Sequence, residues 1–544
     1  MMLKFLALAL AGVAVAAAAS EPARFSRFTY RGQSEERVAT APGEYRNPIL
    51  SGYYPDPSVT RVGDDYYLVN SSFAHFPGLP VFHSEDLVHW TQIGNAIDRP
   101  EQLDFTGRRT SEAVFAPDIS YHNGVFYIVN TCVACKGNFV ITAKDPKGPW
   151  SNPIWLPFEG IDPSIYWEGD RAYIVNNRAP NETPRYDGHR AIWLQEYDRR
   201  AGKMVGDSIQ LVNGGVDITQ KPVWIEGPHI FHKDGWYYLT AAEGGTSVNH
   251  SQVVLRSRAL RGPYLAYAGN PILTQRDLDP ARPHPITSAG HAELVQTRNG
   301  DWWATFLAVR PYEGDYYNIG RETFLLPVTW KDGWPVILPK GRTVPFVAGA
   351  PKLPHSPAVA TAGDFAYTDE FDGDRLAMQW IGVRTPKRPV YRVADGDLIL
   401  APGPRIGDLS SAPAFMARRQ QHHIATVSTS VRFAPDTDGE RAGLAATQSD
   451  ENYLVFGVTR IAGKPVVALY TADKGRETLV ASAPIAAGEP VTLTIRATGG
   501  TMAFDYRGGT GLRTLARDID ARFLSTKTAG GFVGTLIGPY AATR

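Results

Sequence analysis

Cysteine is nearly absent from this 544-residue chain: only Cys132 and Cys135 occur, in Cys-Val-Ala-Cys. Two thiols cannot build a four-cysteine zinc site or a disulfide-dense scaffold, and no thioredoxin-like βαβ pattern surrounds them. They read as a surface-loop pair that oxidises after export. A surplus of one charge is missing as well. Fifty-five Lys+Arg balance fifty-five Asp+Glu, so the basic footprint of a nucleic-acid or anionic-membrane binder is not there. Methionine is scarce at six residues, and long Ala/Leu/Glu/Lys stretches are rare after the first twenty positions. An all-helical protein is excluded. No later run approaches the ~18 apolar residues of a membrane span.

What the chain has in quantity is turn and ring chemistry. It carries 52 glycines, 41 prolines and 11% aromatic residues, a composition that leans to β-structure with many turns. Hydrophobic residues make up 43%, enough for packed cores and too many for a disordered chain. Residues 1–19 read as a signal peptide: Lys4, an apolar stretch from Phe5 to Ala16, then Ala17-Ala18-Ala19 as the cleavage site. The mature protein is therefore expected to be exported, either periplasmic or secreted.

A degenerate repeat follows. Tyr54-Pro55-Asp56-Pro57-Ser58 precedes Gly63-Asp64-Asp65-Tyr66-Tyr67, and Ala116-Pro117-Asp118-Ile119 precedes Asn123-Gly124-Val125-Phe126-Tyr127. Ile161-Asp162-Pro163-Ser164, Glu226-Gly227-Pro228-His229 and Gly290-His291-Ala292-Glu293 each precede a similar turn and aromatic strand. The key residues stand 62, 44, 64 and 65 positions apart. Each unit is a short strand, an Asn/Asp/Gly turn and a second strand, which is hairpin chemistry. Five such units predict a five-bladed β-propeller over residues 44–342. Equivalent positions of the innermost strands face one channel, so Asp56, Asp162, Glu226 and His291 should converge there.

Residues 343–363 are rich in Pro, Ala and Gly and read as a linker. Beyond it, Ala425–Phe433 and Val491–Arg496 alternate apolar and polar residues with period two. Residues 364–544 are thus predicted to form a β-sandwich, making the fold class all-β throughout.

The motifs Gly52-Tyr53-Tyr54-Pro55-Asp56-Pro57-Ser58, Gly160-Ile161-Asp162-Pro163-Ser164 and Glu226-Gly227-Pro228-His229 resemble glycoside hydrolase family 43. Gly290-His291-Ala292-Glu293-Leu294 and Gly320-Arg321-Glu322-Thr323 complete the set, in order and at blade spacing. The resemblance extends to a jelly-roll, concanavalin-like sandwich appended to the family's β-xylosidases. It implies an inverting mechanism with Asp56 as general base, Glu226 as general acid and Asp162 as modulator. Inversion needs one carboxylate to activate water and one carboxylic acid to protonate the leaving oxygen. A third carboxylate beside Glu226 is expected to raise its pKa by repulsion. Singly, Asp56 and Asp162 could each be turn residues before proline; their shared register argues for a site.

By the same resemblance Arg321 binds substrate, and His291 is a channel histidine beside a largely water-coordinated calcium, a structural ion that the chemistry does not require. Phe73, Phe115 and the sandwich residue Phe532 are expected to wall a pocket for one terminal sugar. Phe115 stands where many members have Trp. The reading is an exo-acting β-D-xylosidase on xylo-oligosaccharides, with an α-L-arabinofuranosidase acting on arabinoxylan-derived chains as the alternative. Tyr186-Asp187-Gly188-His189-Arg190-Ala191-Ile192-Trp193 departs from the familiar β-xylosidase pattern and keeps that alternative open. A retaining fructan-cleaving enzyme would open with a different box, and a non-catalytic sugar-binding propeller would lack one of the three carboxylates.

Overall fold

The computed structural model describes residues 21–357, 359–509 and 511–544. The signal peptide expected over residues 1–19 lies outside the described residues. Strands dominate, and among the described residues no helix is long and apolar enough to cross a membrane.

Five antiparallel sheets follow one another along the chain. The first blade pairs Ser58–Val62, Asp65–Val69, Gly78–Ser84 and Thr91–Ile97 in that order. The second is built on Asp118–His122, Val125–Val133, Gly137–Ala143 and Ile154–Leu156. The third comprises Ile161–Glu168, Arg171–Arg178, Ala191–Asp198 and Lys203–Asn213. Glu226–Lys233, Trp236–Glu243 and Ser251–Ser257 carry the fourth, and Thr287–Gln296, Trp302–Val309 and Glu322–Lys331 the fifth. The ring closes where the Ile49 N–H bonds to the Thr323 carbonyl at 2.9 Å. Each inner hairpin turns at the Asn, Asp and Gly residues read from the sequence.

The inner strands are irregular where they matter. Register shifts interrupt the pairing between Ile161 and Ser164, between Glu226 and His229, and between Gly290 and Glu293. Asp56, Asp162 and His291 share a left-handed backbone with φ of 51°, and Gly227, next to Glu226, has φ of 54°. A bulge with one left-handed residue re-aims a side chain out of the sheet. Non-glycine residues hold that conformation only when their surroundings fix it, which is common at functional sites. The repeat seen in the sequence is therefore also a repeat of backbone geometry.

The second domain is a sandwich of two sheets. Its strands alternate as predicted: Ile424–Arg432 and Val491–Thr498 bury every second residue. The boundaries need one correction. The sandwich is not confined to residues 364–544, because Ala23–Gln33, upstream of the propeller, pairs with Ile424–Arg432, Asp397–Leu400 and Phe365–Asp369 in the middle of one sheet. Phe25, Phe28 and Tyr30 from that strand are buried in the sandwich core with Val427, Phe456 and Phe504. The strand escaped notice because it is separated from its sheet by the whole propeller.

The segment expected to be a linker is also partly structured: Val347–Gly349 pairs with Glu44–Arg46, and the Ser356 N–H bonds to Asp86 at 3.0 Å. The domains share a core in which Tyr53 and Phe73 pack with Val383, Phe415, Val455 and Val533. Arg419 donates to the Tyr53 carbonyl at 2.6 Å and Gln421 to that of Ser51 at 2.9 Å. Burying apolar surface of this kind contributes about 25 cal/mol per Å², so the sandwich is fixed to the propeller rather than tethered.

The two cysteines form a disulfide. Only part of the pair matches the surface-loop expectation. Cys132 is fully buried at the end of Val125–Val133, and its Cα is paired with Val114, next to the pocket residue Phe115.

Candidate active site

A cavity of about 380 Å³ opens at the entry ends of the inner strands. Asp56, Asp162, Glu226, His291, Arg321, Phe73, Phe115 and Phe532 all line it. Every site residue expected from the sequence is thus brought to one place, from all five blades and the sandwich.

The three carboxylates are buried, with exposures of 5% for Asp56, 7% for Asp162 and 6% for Glu226. Their surroundings separate them. Burial alone would raise the Asp56 carboxyl, but Arg321, His291 and the Ser71 hydroxyl outweigh it and hold the group below its ordinary value. Arg321 Nη1 lies 3.0 Å from Asp56 Oδ1, Nη2 lies 3.4 Å from Oδ2, and Ser71 Oγ donates to Oδ2 at 2.5 Å. Glu226 goes the other way: burial, then the negative charge of Asp56, push it up to about 7. Asp162 is raised well above its ordinary value by burial and then by Glu226. Asp162 was expected to be the charge that lifts Glu226; the larger causes are burial and Asp56. The two raised carboxyls are neighbours, and protons on such a pair belong to both. One ionised and one protonated carboxyl in a single cavity is the division of labour that acid–base chemistry needs.

His291 Nδ1 lies 3.4 Å from Asp56 Oδ1, and burial lowers its pKa to about 4, so it is neutral. The calcium implied by the resemblance can be tested against these donors. Calcium takes six to eight oxygens. His291 offers imidazole nitrogen beside a guanidinium and a second buried imidazole, His250. Among the described residues, His291 belongs to no group of three close ligand atoms. These residues do not form a calcium shell of their own.

Arg321 is paired with Asp56 and not with its chain neighbour Glu322. Glu322 is instead held by Arg310, at 2.7 and 2.9 Å, and accepts the Gly52 N–H at 2.7 Å. Arg321, 5% exposed, is free of it and faces the cavity.

The aromatic wall is a three-ring cluster. Phe73 and Phe532 stack with centroids 5.7 Å apart, and Phe115 meets them edge-on at 5.1 and 5.6 Å. Phe532 is carried in by the sandwich, and its N–H bonds to Ser111 of the propeller at 3.0 Å. The sandwich therefore completes the pocket.

Sequence reasoning missed several residues. Trp224, Val223 and Thr246 also line the cavity. Ser71 orients the base, and its only signal was its place in the Ser71-Ser72-Phe73 run. His229 Nδ1 stands 3.4 Å from both Asp118 and Glu293, a buried triad joining three blades. Asp118, the acidic residue of the second repeat, pairs with His229 and does not line the cavity.

The model of the family described as glycosyl hydrolases family 43 matches residues 45–335. The chain belongs to this family. Residues 368–544 match the β-xylosidase C-terminal concanavalin A-like domain. Among relatives of this family 43 glycosidase, the "xylosidase/arabinosidase" of Butyrivibrio fibrisolvens is 38% identical over 505 residues, covering 91% of this chain and 95% of the relative. The "non-reducing end alpha-L-arabinofuranosidase BoGH43B" of Bacteroides ovatus is 36% identical over 514 residues, covering 93% and 92%. In three dimensions the glycosidase is similar to a GH43_12 protein from capybara gut metagenome, with a TM-score of 0.89 and 37% identity over 96% of this chain and 100% of the other.

Proposed function

We propose that this family 43 enzyme is an exo-acting, inverting glycosidase that releases a terminal pentose, β-D-xylose, from xylo-oligosaccharides. The observation that carries this reading is the unlike setting of two buried carboxyls in one pocket walled by Phe532: Asp56 is held by Arg321 and Ser71, which keep it below its ordinary value, while burial and Asp56 push Glu226 up to about 7. Asp56 takes a proton from water, whose oxygen bonds to the anomeric carbon. Glu226 gives its proton to the glycosidic oxygen on the other face as the C–O bond breaks. Asp162 shares proton occupancy with Glu226 and restrains its ionisation. Arg321 keeps Asp56 anionic and supplies N–H donors to sugar hydroxyls.

An α-L-arabinofuranosidase activity is the second reading, favoured by the relative so named and by the 186–193 segment, which packs on the pocket residue Trp224. Comparing kcat/KM on aryl β-D-xylopyranoside and aryl α-L-arabinofuranoside, with Glu226→Gln as control, separates the two. Turnover on either that depends on Glu226 supports the mechanism. No such turnover on either sinks it. Export from the cytoplasm is proposed with it, supported by the apolar leader and the Cys132–Cys135 bond.

A further inference from the structure

The cavity is lined by two aromatic groups of different origin. Phe73, Phe115 and Phe532 cluster beside Arg321, the partner of Asp56, and Trp224 lines the same cavity two residues before Glu226. A general acid protonates the oxygen that departs, so the sugar that leaves lies on the acid's side of the scissile bond. Trp224 is where that sugar would rest.

Its ring is set in place by the segment that sequence reading singled out and the fold did not use. The Trp224 N–H bonds to the Gly188 carbonyl at 2.9 Å. Gly188 itself has φ of 81°, and a Cβ there would come within 3.3 Å of the indole. Tyr186 donates to the Pro222 carbonyl at 3.0 Å, fixing the loop that leads to Trp224. The Arg190 guanidinium packs on the indole, 4.2 Å from a ring centroid. Trp224 itself holds a left-handed φ of 48°, which for a bulky residue is uncommon and must be held by these contacts. A half-buried tryptophan braced on one face by a cation and lining a sugar pocket is a pre-ordered stacking surface.

The geometry points to Trp224, braced by Arg190, as the binding platform for the second sugar ring of the substrate, on the leaving-group side. The ligand class is a pyranose linked through the scissile oxygen, so the preferred substrates are di- and oligosaccharides over simple glycosides. This rests on the glycosidase reading above for which bond is cut, but not for whether the ring binds sugar.

Two measurements test it. The first is the ratio of kcat/KM on a disaccharide to that on the methyl glycoside of the same terminal sugar, whose leaving group cannot reach Trp224. Both xylobiose with methyl β-D-xyloside and arabinosyl-xylose with methyl α-L-arabinofuranoside are used. Trp224→Ala should lower the ratio about tenfold, Trp224→Phe should largely restore it, and Arg190→Ala should lower it less. A ratio within one preparation is insensitive to partial misfolding. Equal losses on both substrates would overturn the platform. The second is calorimetric binding of the disaccharide and of the free monosaccharide to Glu226→Gln, with and without Trp224→Ala. Disaccharide affinity should drop about tenfold and monosaccharide affinity should hold. Trp224-dependent binding without wild-type turnover would fault the catalytic reading alone, whereas disaccharide binding indifferent to the ring would overturn this one.

Discussion

Arg321 and Asp56 meet through two N–H groups and two carboxylate oxygens, at 3.0 and 3.4 Å, with both side chains almost fully buried. They are 265 residues apart in the chain and come from the fifth and first blades, at the seam where the propeller closes. The pairing explains how a carboxylate with 5% exposure stays ionised. It also ties the proposed base to ring closure, so the chemistry depends on the two ends of the propeller meeting.

Arg321→Gln should therefore harm catalysis through Asp56. Losing one partner of a buried ion pair leaves the other uncompensated, typically at a cost of about 3–5 kcal/mol. Burial then raises Asp56, and the acid limb of kcat/KM against pH should move upward while the rate near pH 6 falls by ~10²-fold or more. Arg321→Lys keeps a charge but loses the planar fork and should fall between. An unmoved acid limb in the Gln variant would show that Arg321 does not tune the base.

The pH dependence of the wild type follows from the same groups. The base is active when ionised and the acid when protonated. Activity should be flat across mildly acidic pH and decline above about 7, as Glu226 loses its proton. Stability has a definite sign too. Glu226 binds its proton more tightly in the fold than at its ordinary value of 4.5. Its contribution is complete below about pH 4.5 and is lost as pH rises through about 7. Glu226→Gln, neutral throughout and no longer pressing on Asp162, should melt higher than wild type at pH 8 and about equally at pH 4. Equal melting at both would remove the burial argument.

Much of this is legible in the sequence. Asp56, Asp162 and His291 stood out because the propeller repeats a turn chemistry, and hairpin turns are written in local residues. Phe532 was found through resemblance alone, since no local pattern marks a loop that crosses to another domain. Ala23–Gln33 was illegible for a related reason: a strand's partner lies wherever the chain returns, and here it returns after some four hundred residues. Trp224 failed differently. Its neighbour Glu226 drew attention by motif, whereas an aromatic residue before a strand is common, and only its left-handed backbone and braced ring distinguish it.

Phe532→Ala should separate the sandwich's part in binding from its part in folding. The ring faces the cavity half-buried, so the melting temperature should barely change. Loss of its stacking on Phe73 should raise KM about tenfold, with a smaller effect on kcat. An unchanged KM would show that the propeller alone holds the terminal sugar.

Phe28 offers the complementary test, far from the chemistry. It is fully buried in the sandwich core, edge-on to Trp380 with centroids 4.8 Å apart. Replacing a buried phenylalanine by alanine typically costs about 3–5 kcal/mol. Because Tyr53 and Phe73 share a core with sandwich residues, Phe28→Ala should lower the melting temperature of the whole protein in one transition and reduce activity only as the fold is lost. Two resolved transitions, with the propeller melting unchanged, would mean that the shared core does not couple the domains. In that case Phe532 would be delivered to the pocket by a separately folding unit, and KM should rise in the variant well below the temperature at which the propeller unfolds.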